Sequence, residues 1–226
     1  MTSKINRSIR SPNYDPKSIT VEFVILHYTA GELQQAIEVY TDPKERITGH
    51  ILIAKDGQVF ELVKCWDGIA HRAWHAGRSR WSDAKQLIEN FNDLSIGIEL
   101  VNPNGNILAY TDQQYDALKD VIEHLRSLYP ALRRPERILG HEHIAGWRGK
   151  ADPGWMFDWK RLFRLCYPNE AAPLRTPACP AELKTALEKF EHVVPGGPSA
   201  AGQFWNAVNG VTETCVRLLQ ADNDRG

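Results

Sequence analysis

The stretch VEFVILHYT, Val21 to Thr29, is an almost uninterrupted apolar run, short and rich in β-branched residues. Such a run predicts a strand covered on both faces of a sheet. Working outward from it, Gly31 opens a segment with helical spacing from Leu33 to Tyr40, and HILIAKDGQVFELV (His50 to Val63) reads as a hairpin turning at Asp56-Gly57. SIGIELV (Ser95 to Val101) is a second buried-type strand. Between residues 111 and 129, Tyr115, Leu118, Val121, Ile122, Leu125 and Leu128 form one apolar stripe. Thr111 with Gln114 makes a capping box at its start, and Pro130 stops it. Arg137 to Leu139 is a short strand running into the loop GHEHIAGWRGKADPG, and Phe157 to Cys166 closes the unit as a helix. The order β-α-β-β-β-α-β-α predicts an α/β fold, a central mixed sheet flanked by helices.

Prolines mark the main boundary. Six of the thirteen fall between Pro168 and Pro198, so residues 1–168 are expected to form one domain and 169–226 a Pro-rich linker with a helical C-terminal extension. Two amphipathic helices are expected there, from Ala181 to His192 and from Ala200 to Gln220. In the second, Phe204, Trp205, Val208, Val211, Cys215 and Leu218 make an apolar stripe that must bury on the front domain, a second subunit or a ligand.

Composition narrows the function classes. With 27 basic and 28 acidic residues the net charge is -1, and the part before the boundary (+1) and the tail (-2) are each near neutral. That balance argues against nucleic acid as a partner, which demands a basic footprint. No apolar run approaches the roughly 20 residues of a membrane-spanning helix. The polar opening MTSKINRSIRSPNYDPKS has no hydrophobic centre for a signal peptide, so the expected compartment is the cytoplasm. The four cysteines (Cys65, Cys166, Cys179, Cys215) form no CxxC pair, and free buried thiols are expected over a late disulfide. Oligomeric state is not legible.

Several residues carry potential chemistry. His27 interrupts the apolar strand near its end, either as a satisfied core histidine or as a site group on a rigid element. His141 sits where a second strand emits a glycine-rich loop, and Asp152 follows eleven residues later. Two histidines and a carboxylate, with a fourth position for water, make a catalytic type of zinc site. His143 competes with His141: the two share a face if the segment is extended and not if it coils. Glu99 lies inside an apolar strand, where a carboxylate is costly unless paired, metal-bound or held near neutral for proton transfer. Its face, Ser95, Gly97, Glu99 and Val101, is not a solvated one. Lys150 shares a loop with Asp152, Trp74 and His75 form an aromatic and imidazole pair in AWHAG, and Trp147 and Trp155 flank Asp152 as possible groove walls.

Taken together, VILHYTA, ITGHILIAKDG, AWHAG, NDLSIGIELVN, GHEHIA and KADPGWMFDW resemble, in order and approximate spacing, the type-2 N-acetylmuramoyl-L-alanine amidases, over about residues 10 to 166. The resemblance implies His27, His141 and Asp152 as zinc ligands, Glu99 and Lys150 as the groups assisting catalysis, and His50, Trp74 and His75 near the cleft. It implies Zn²⁺ as cofactor, peptidoglycan fragments (muropeptides) or murein as partner, and hydrolysis of the amide joining the lactyl group of N-acetylmuramic acid to L-alanine. A non-cleaving peptidoglycan-binding module and a phage endolysin are the alternative readings. One departure stands out: Ile-Ala-Gly-Trp-Arg-Gly-Lys before Asp152 is one residue longer than the family's pattern. The loop is expected to bulge there; if it does not, Arg148 takes the place of Lys150.

Overall fold

The computed structural model describes residues 5–82, 86–191 and 198–223. The first strand, β1 (Tyr14–Ile19), is followed by β2 (Phe23–Tyr28), α1 (Leu33–Thr41), β3 (Ile51–Ile53) and β4 (Val59–Glu61). Next come β5 (Ala70–Ala73), β6 (Arg80–Ser82), β7 (Leu87–Glu89), β8 (Ser95–Leu100) and α2 (Asp112–Leu128). The chain ends with β9 (Ile138–Gly140), α3 (His141–Ala145), α4 (Trp159–Cys166), α5 (Ala181–Glu191) and α6 (Pro198–Asn223). The main sheet has the order β4-β3-β8-β2-β9. β3, β8, β2 and β9 run parallel, and β4 returns antiparallel from β3 through the Asp56-Gly57 turn.

The alternation of β2 and β8 divides the core. Val24, Leu26, Ile96, Ile98 and Leu100 face α2 and α4, joining Leu118, Val121, Ile122, Leu162 and Phe163 in the largest apolar cluster. On the opposite face, Phe23, Ile25 and Leu139 pack with Ile144 of α3, while Leu52 and Val101 pack with Ala36 and Tyr40 of α1. Covered on both faces, β2 and β8 are apolar runs, as parallel strands must be. α2 keeps its expected cap: the Thr111 hydroxyl accepts from Gln114 N–H at 3.1 Å, and the Gln114 side chain reciprocates.

Four strands lie outside the expected order. β1 pairs antiparallel with β5, and β6 with β7; these segments are short or polar, and β1 carries an irregularity between Asp15 and Ser18 around Pro16. A second difference is α3. Directly after β9 the loop coils into a helical turn, then into a 3-10 turn at Gly146–Arg148.

The tail packs against the front of the molecule. Trp205 and Val208 of α6 bury with Ile107, Cys179 and Leu187. The expected stripe on α6 is only partly right, because Val211 and Leu218 are exposed, while Thr212 and Val216 are fully buried. The buried face is 205-208-212-216, rotated so that the Thr212 hydroxyl meets the Asn104 amide at 3.3 Å. α5 ends at Glu191, and the expected final residue, His192, lies outside the described residues. All four cysteines are free. Among the described residues no helix is long and apolar enough to cross a membrane.

Candidate active site

β2 and β9 are parallel neighbours with Leu26 opposite Gly140, so the next residue of each chain, His27 and His141, emerges side by side at the carboxyl ends of the strands. Crevices outside those ends are where α/β sheets place ligands. The loop after α3 then returns: Glu142 N–H donates to the Asp152 carbonyl at 2.9 Å, setting the Asp152 side chain beside both rings. His27 Nδ1 stands 2.8 Å from Asp152 Oδ2 and 3.1 Å from His141 Nδ1, and His141 Nδ1 is 3.1 Å from the same carboxylate oxygen. All three residues are buried.

The outer nitrogens determine the tautomers. His141 Nε2 donates to the Ala76 carbonyl at 3.2 Å. His27 Nε2 lies 3.0 Å from His75 Nδ1, and His75 Nε2 lies 3.4 Å from the Ser95 carbonyl, a chain in which each Nε2–H donates outward. That pattern leaves the lone pairs of both Nδ1 atoms facing the shared centre. Burial keeps His27 and His75 neutral, lowering His27 to about 4 and His75 well below the ordinary imidazole value. Burial alone would raise the Asp152 carboxyl, but His141 and His27 outweigh it and hold Asp152 ionised, well below the usual range.

Two lone-pair imidazoles and one carboxylate oxygen within mutual contact cannot all be satisfied by protons. They suit a cation: donors at about 2.0–2.1 Å from a tetrahedral zinc stand roughly 3.3 Å apart, and two His with one carboxylate is a catalytic donor set. Among the described residues His27, His141 and Asp152 form the one such group.

Glu99 is the register partner of His27 on β8, so both side chains leave the same face of the sheet. It is buried, accepts a hydrogen bond from the Tyr40 hydroxyl, and lies against Gly49. Burial first, and the charge of Asp152 second, raise it to about 8, against the opposing pull of Tyr40 and Lys150. His27, Glu99, His141, Lys150 and Asp152 line one cleft of about 420 Å³. Trp74 and His75 line it too, with Arg46 stacked 5.4 Å from the Trp74 ring.

Other candidates fall elsewhere. His50 is fully buried and does not line the cleft. Its Nε2 donates to the His71 carbonyl at 2.7 Å and its Nδ1 accepts from Gly97 N–H at 3.0 Å, so neither nitrogen is available to a substrate. Because the segment coils, His143 leaves the His141 face: its Nδ1 accepts from Gly140 N–H at 2.7 Å and its ring meets Trp159. Trp147 lies under Arg78 and Arg80, and Trp155 near Lys184, both outside the cleft. Lys150 and Arg148 both reach the cleft, with Arg148 Nη2 donating to the Ala76 carbonyl at 2.9 Å. Several lining residues were left unmarked by the sequence, Tyr40, Asn209 and Glu213 among them. Tyr40 reads as an ordinary helix residue, and Asn209 and Glu213 belong to the polar side of α6, with no local signal of their destination.

Comparison with known proteins places this geometry. The 1,6-anhydro-N-acetylmuramyl-L-alanine amidase AmpD of Citrobacter freundii is 42% identical over 124 residues, covering 55% of this chain and 59% of that protein. The chain thus aligns with about three fifths of the length of such relatives. A crystal structure of a selenomethionine AmpD derivative superposes with a TM-score of 0.55 at 33% identity, over 71% of this chain and 93% of the other. AMPDH3 of Pseudomonas aeruginosa, in complex with anhydromuramic pentapeptide, gives a TM-score of 0.54 at 32% identity, over 70% and 64%. A family model described as N-acetylmuramoyl-L-alanine amidase matches residues 17–155, a span that holds every member of the His27, His141 and Asp152 cluster, and this chain belongs to that family.

Proposed function

We propose that this protein is a zinc-dependent hydrolase that cleaves the amide between the lactyl group of N-acetylmuramic acid and L-alanine, acting on soluble muropeptides. The observation that carries the reading is the convergence of two imidazole nitrogens and a carboxylate oxygen on one centre, in the cleft that also holds the buried Glu99, raised to about 8. The similar AmpD proteins are named as amidases of 1,6-anhydro-N-acetylmuramyl-L-alanine, and AMPDH3 is seen with an anhydromuramic pentapeptide. A cleft of about 420 Å³, walled on one side by α6, suits a compact fragment better than a glycan sheet.

His27, His141 and Asp152 would hold the metal, with His75, Ala76 and Ser95 orienting the rings from outside. Zinc, when bound, polarises the scissile carbonyl and lowers the pKa of water toward neutrality. Glu99 takes a proton from the attacking water as its oxygen bonds to the carbonyl carbon. It then returns that proton to the L-alanine nitrogen as the amide C–N bond breaks, releasing the lactyl carboxylate and the peptide amine. The Lys150 ammonium faces the same cleft and stabilises the negative charge that develops on the carbonyl oxygen. His50 supports the wall from behind, in ring contact with His75 at 5.6 Å.

The test is zinc content and peptide release measured on one purified sample, offered anhydro-muropeptide and intact sacculi side by side. About one zinc per chain with cleavage of the soluble substrate alone is expected. Cleavage of sacculi moves the reading to a murein hydrolase or lysin, zinc with neither substrate cut to a binding module, and no zinc removes the site.

A further inference from the structure

We infer that Glu213, on the C-terminal helix α6, is a positioning residue that holds Lys150 at the catalytic cleft. The inference rests on the role proposed above for Lys150. Glu213 Oε1 stands 2.7 Å from Lys150 Nζ, and both residues line the cleft with His27, His141 and Asp152. Glu213 lies outside residues 17–155, the span matched by the family model.

Three features show that this approach is built. Asn209, one turn before Glu213, accepts from the Tyr28 hydroxyl at 3.3 Å and the Asn104 amide at 3.0 Å, and donates to the Pro103 carbonyl at 2.9 Å. Buried Thr212 meets the Asn104 amide at 3.3 Å, so α6 is pinned along the turn that leads into Glu213. The third feature is the lengthened loop before Lys150. It winds into a 3-10 turn and exits through Gly149 at φ +96°, where a β-carbon would collide with the Glu213 backbone carbonyl. The extra residue and the glycine let the loop seat directly on α6.

Energetics decide what the contact does. The two side chains are 29% and 43% exposed, and ion pairs of that exposure add little to stability. A lysine on four rotatable carbons, with Arg148 sharing its cleft, has every reason to swing toward water. A carboxylate fixed to a pinned helix removes that freedom and keeps the ammonium where charge develops. Glu213 touches no reacting atom; it acts through Lys150.

The experiment uses the full-length zinc-loaded protein with Glu213→Gln, Glu213→Asp, Lys150→Ala and the Lys150→Ala/Glu213→Gln pair, each checked for zinc content and thermal midpoint. Glu213→Gln is expected to lower kcat on anhydro-muropeptide about tenfold with KM, zinc and midpoint little changed, and Glu213→Asp to recover part of it. In the Lys150→Ala background the second change has no further effect. Independently of activity, the Lys150 ammonium signal in ¹⁵N-lysine NMR, sharp in the parent, broadens in Glu213→Gln. Unchanged or raised kcat in Glu213→Gln, or full additivity with Lys150→Ala, overturns the inference while leaving the amidase reading in place. If Lys150→Ala itself turns over normally, the role of Lys150 fails first, and the ammonium signal still reports whether Glu213 holds it.

Discussion

His27 and Glu99 are direct register partners on the adjacent parallel strands β2 and β8, so the proposed metal ligand and the proposed proton carrier stand level on one face of the sheet. The backbone ladder sets their separation, and no loop motion is needed to bring them together. Proton transfer depends on such fixed geometry.

Glu99→Ala therefore removes the proton carrier without touching the ligands. The variant is expected to keep its zinc and lose about 10²–10⁴ in turnover, the usual worth of a general acid-base group. Elemental analysis beside peptide release measures both, and parent-like turnover would sink the assignment.

Removing the metal should separate binding from folding. Chelation is expected to abolish hydrolysis and lower the thermal midpoint, since zinc binds only the folded chain, and zinc should restore both. Asp152→Ala should show the low midpoint from the outset and gain nothing from added zinc. A midpoint indifferent to zinc in the parent would count against His27, His141 and Asp152 as ligands.

His75 tests the outer layer of the site. Its Nδ1 receives His27 Nε2–H at 3.0 Å, and its ring lies so close to Gly97 that a β-carbon there would strike it. His75→Ala and Gly97→Ala are both expected to weaken zinc affinity about 10–100-fold, the usual cost of losing a ligand's orienting partner. Competition with a chromogenic chelator reads this directly.

Acid should destabilise the metal-free protein over a defined window. Burial, the largest cause, lowers His50 to about 4, and does the same to His27. A group whose folded pKa lies below its unfolded value near 6.5 binds fewer protons when folded, so stability is present above pH 6.5 and is lost as pH falls toward 4. Each ring is worth roughly 3 kcal/mol across that window. Urea midpoints between pH 7 and 4 should show the fall, and zinc should deepen it, because protons then compete with the metal. A flat profile would contradict neutral burial of these rings.

Local signals in the chain were enough for the frame of this molecule. Unbroken apolar runs made β2 and β8 buried strands, alternation put Glu99 on the face opposite Ile98, and the Thr111-Gln114 box started α2 where the structure has it. The polar residues in those settings, His27 and Glu99, stood out because burial without a partner is costly, and Asp152 by its place in the loop eleven residues after His141. Short polar strands such as β1 and β6 carry no such signal, since their stability comes from the strand beside them. The helical turn at His141–Ala145 likewise depends on the returning Asp152 loop, whose carbonyl satisfies the Glu142 N–H. That turn separates His143 from His141, a choice the spacing alone left open. Which residues of α6 face inward, and that Glu213 ends beside Lys150, 63 residues away in the chain, was decided by tertiary packing alone. Helical periodicity records that a face will be buried; what that face meets depends on the shape of the surface that receives it.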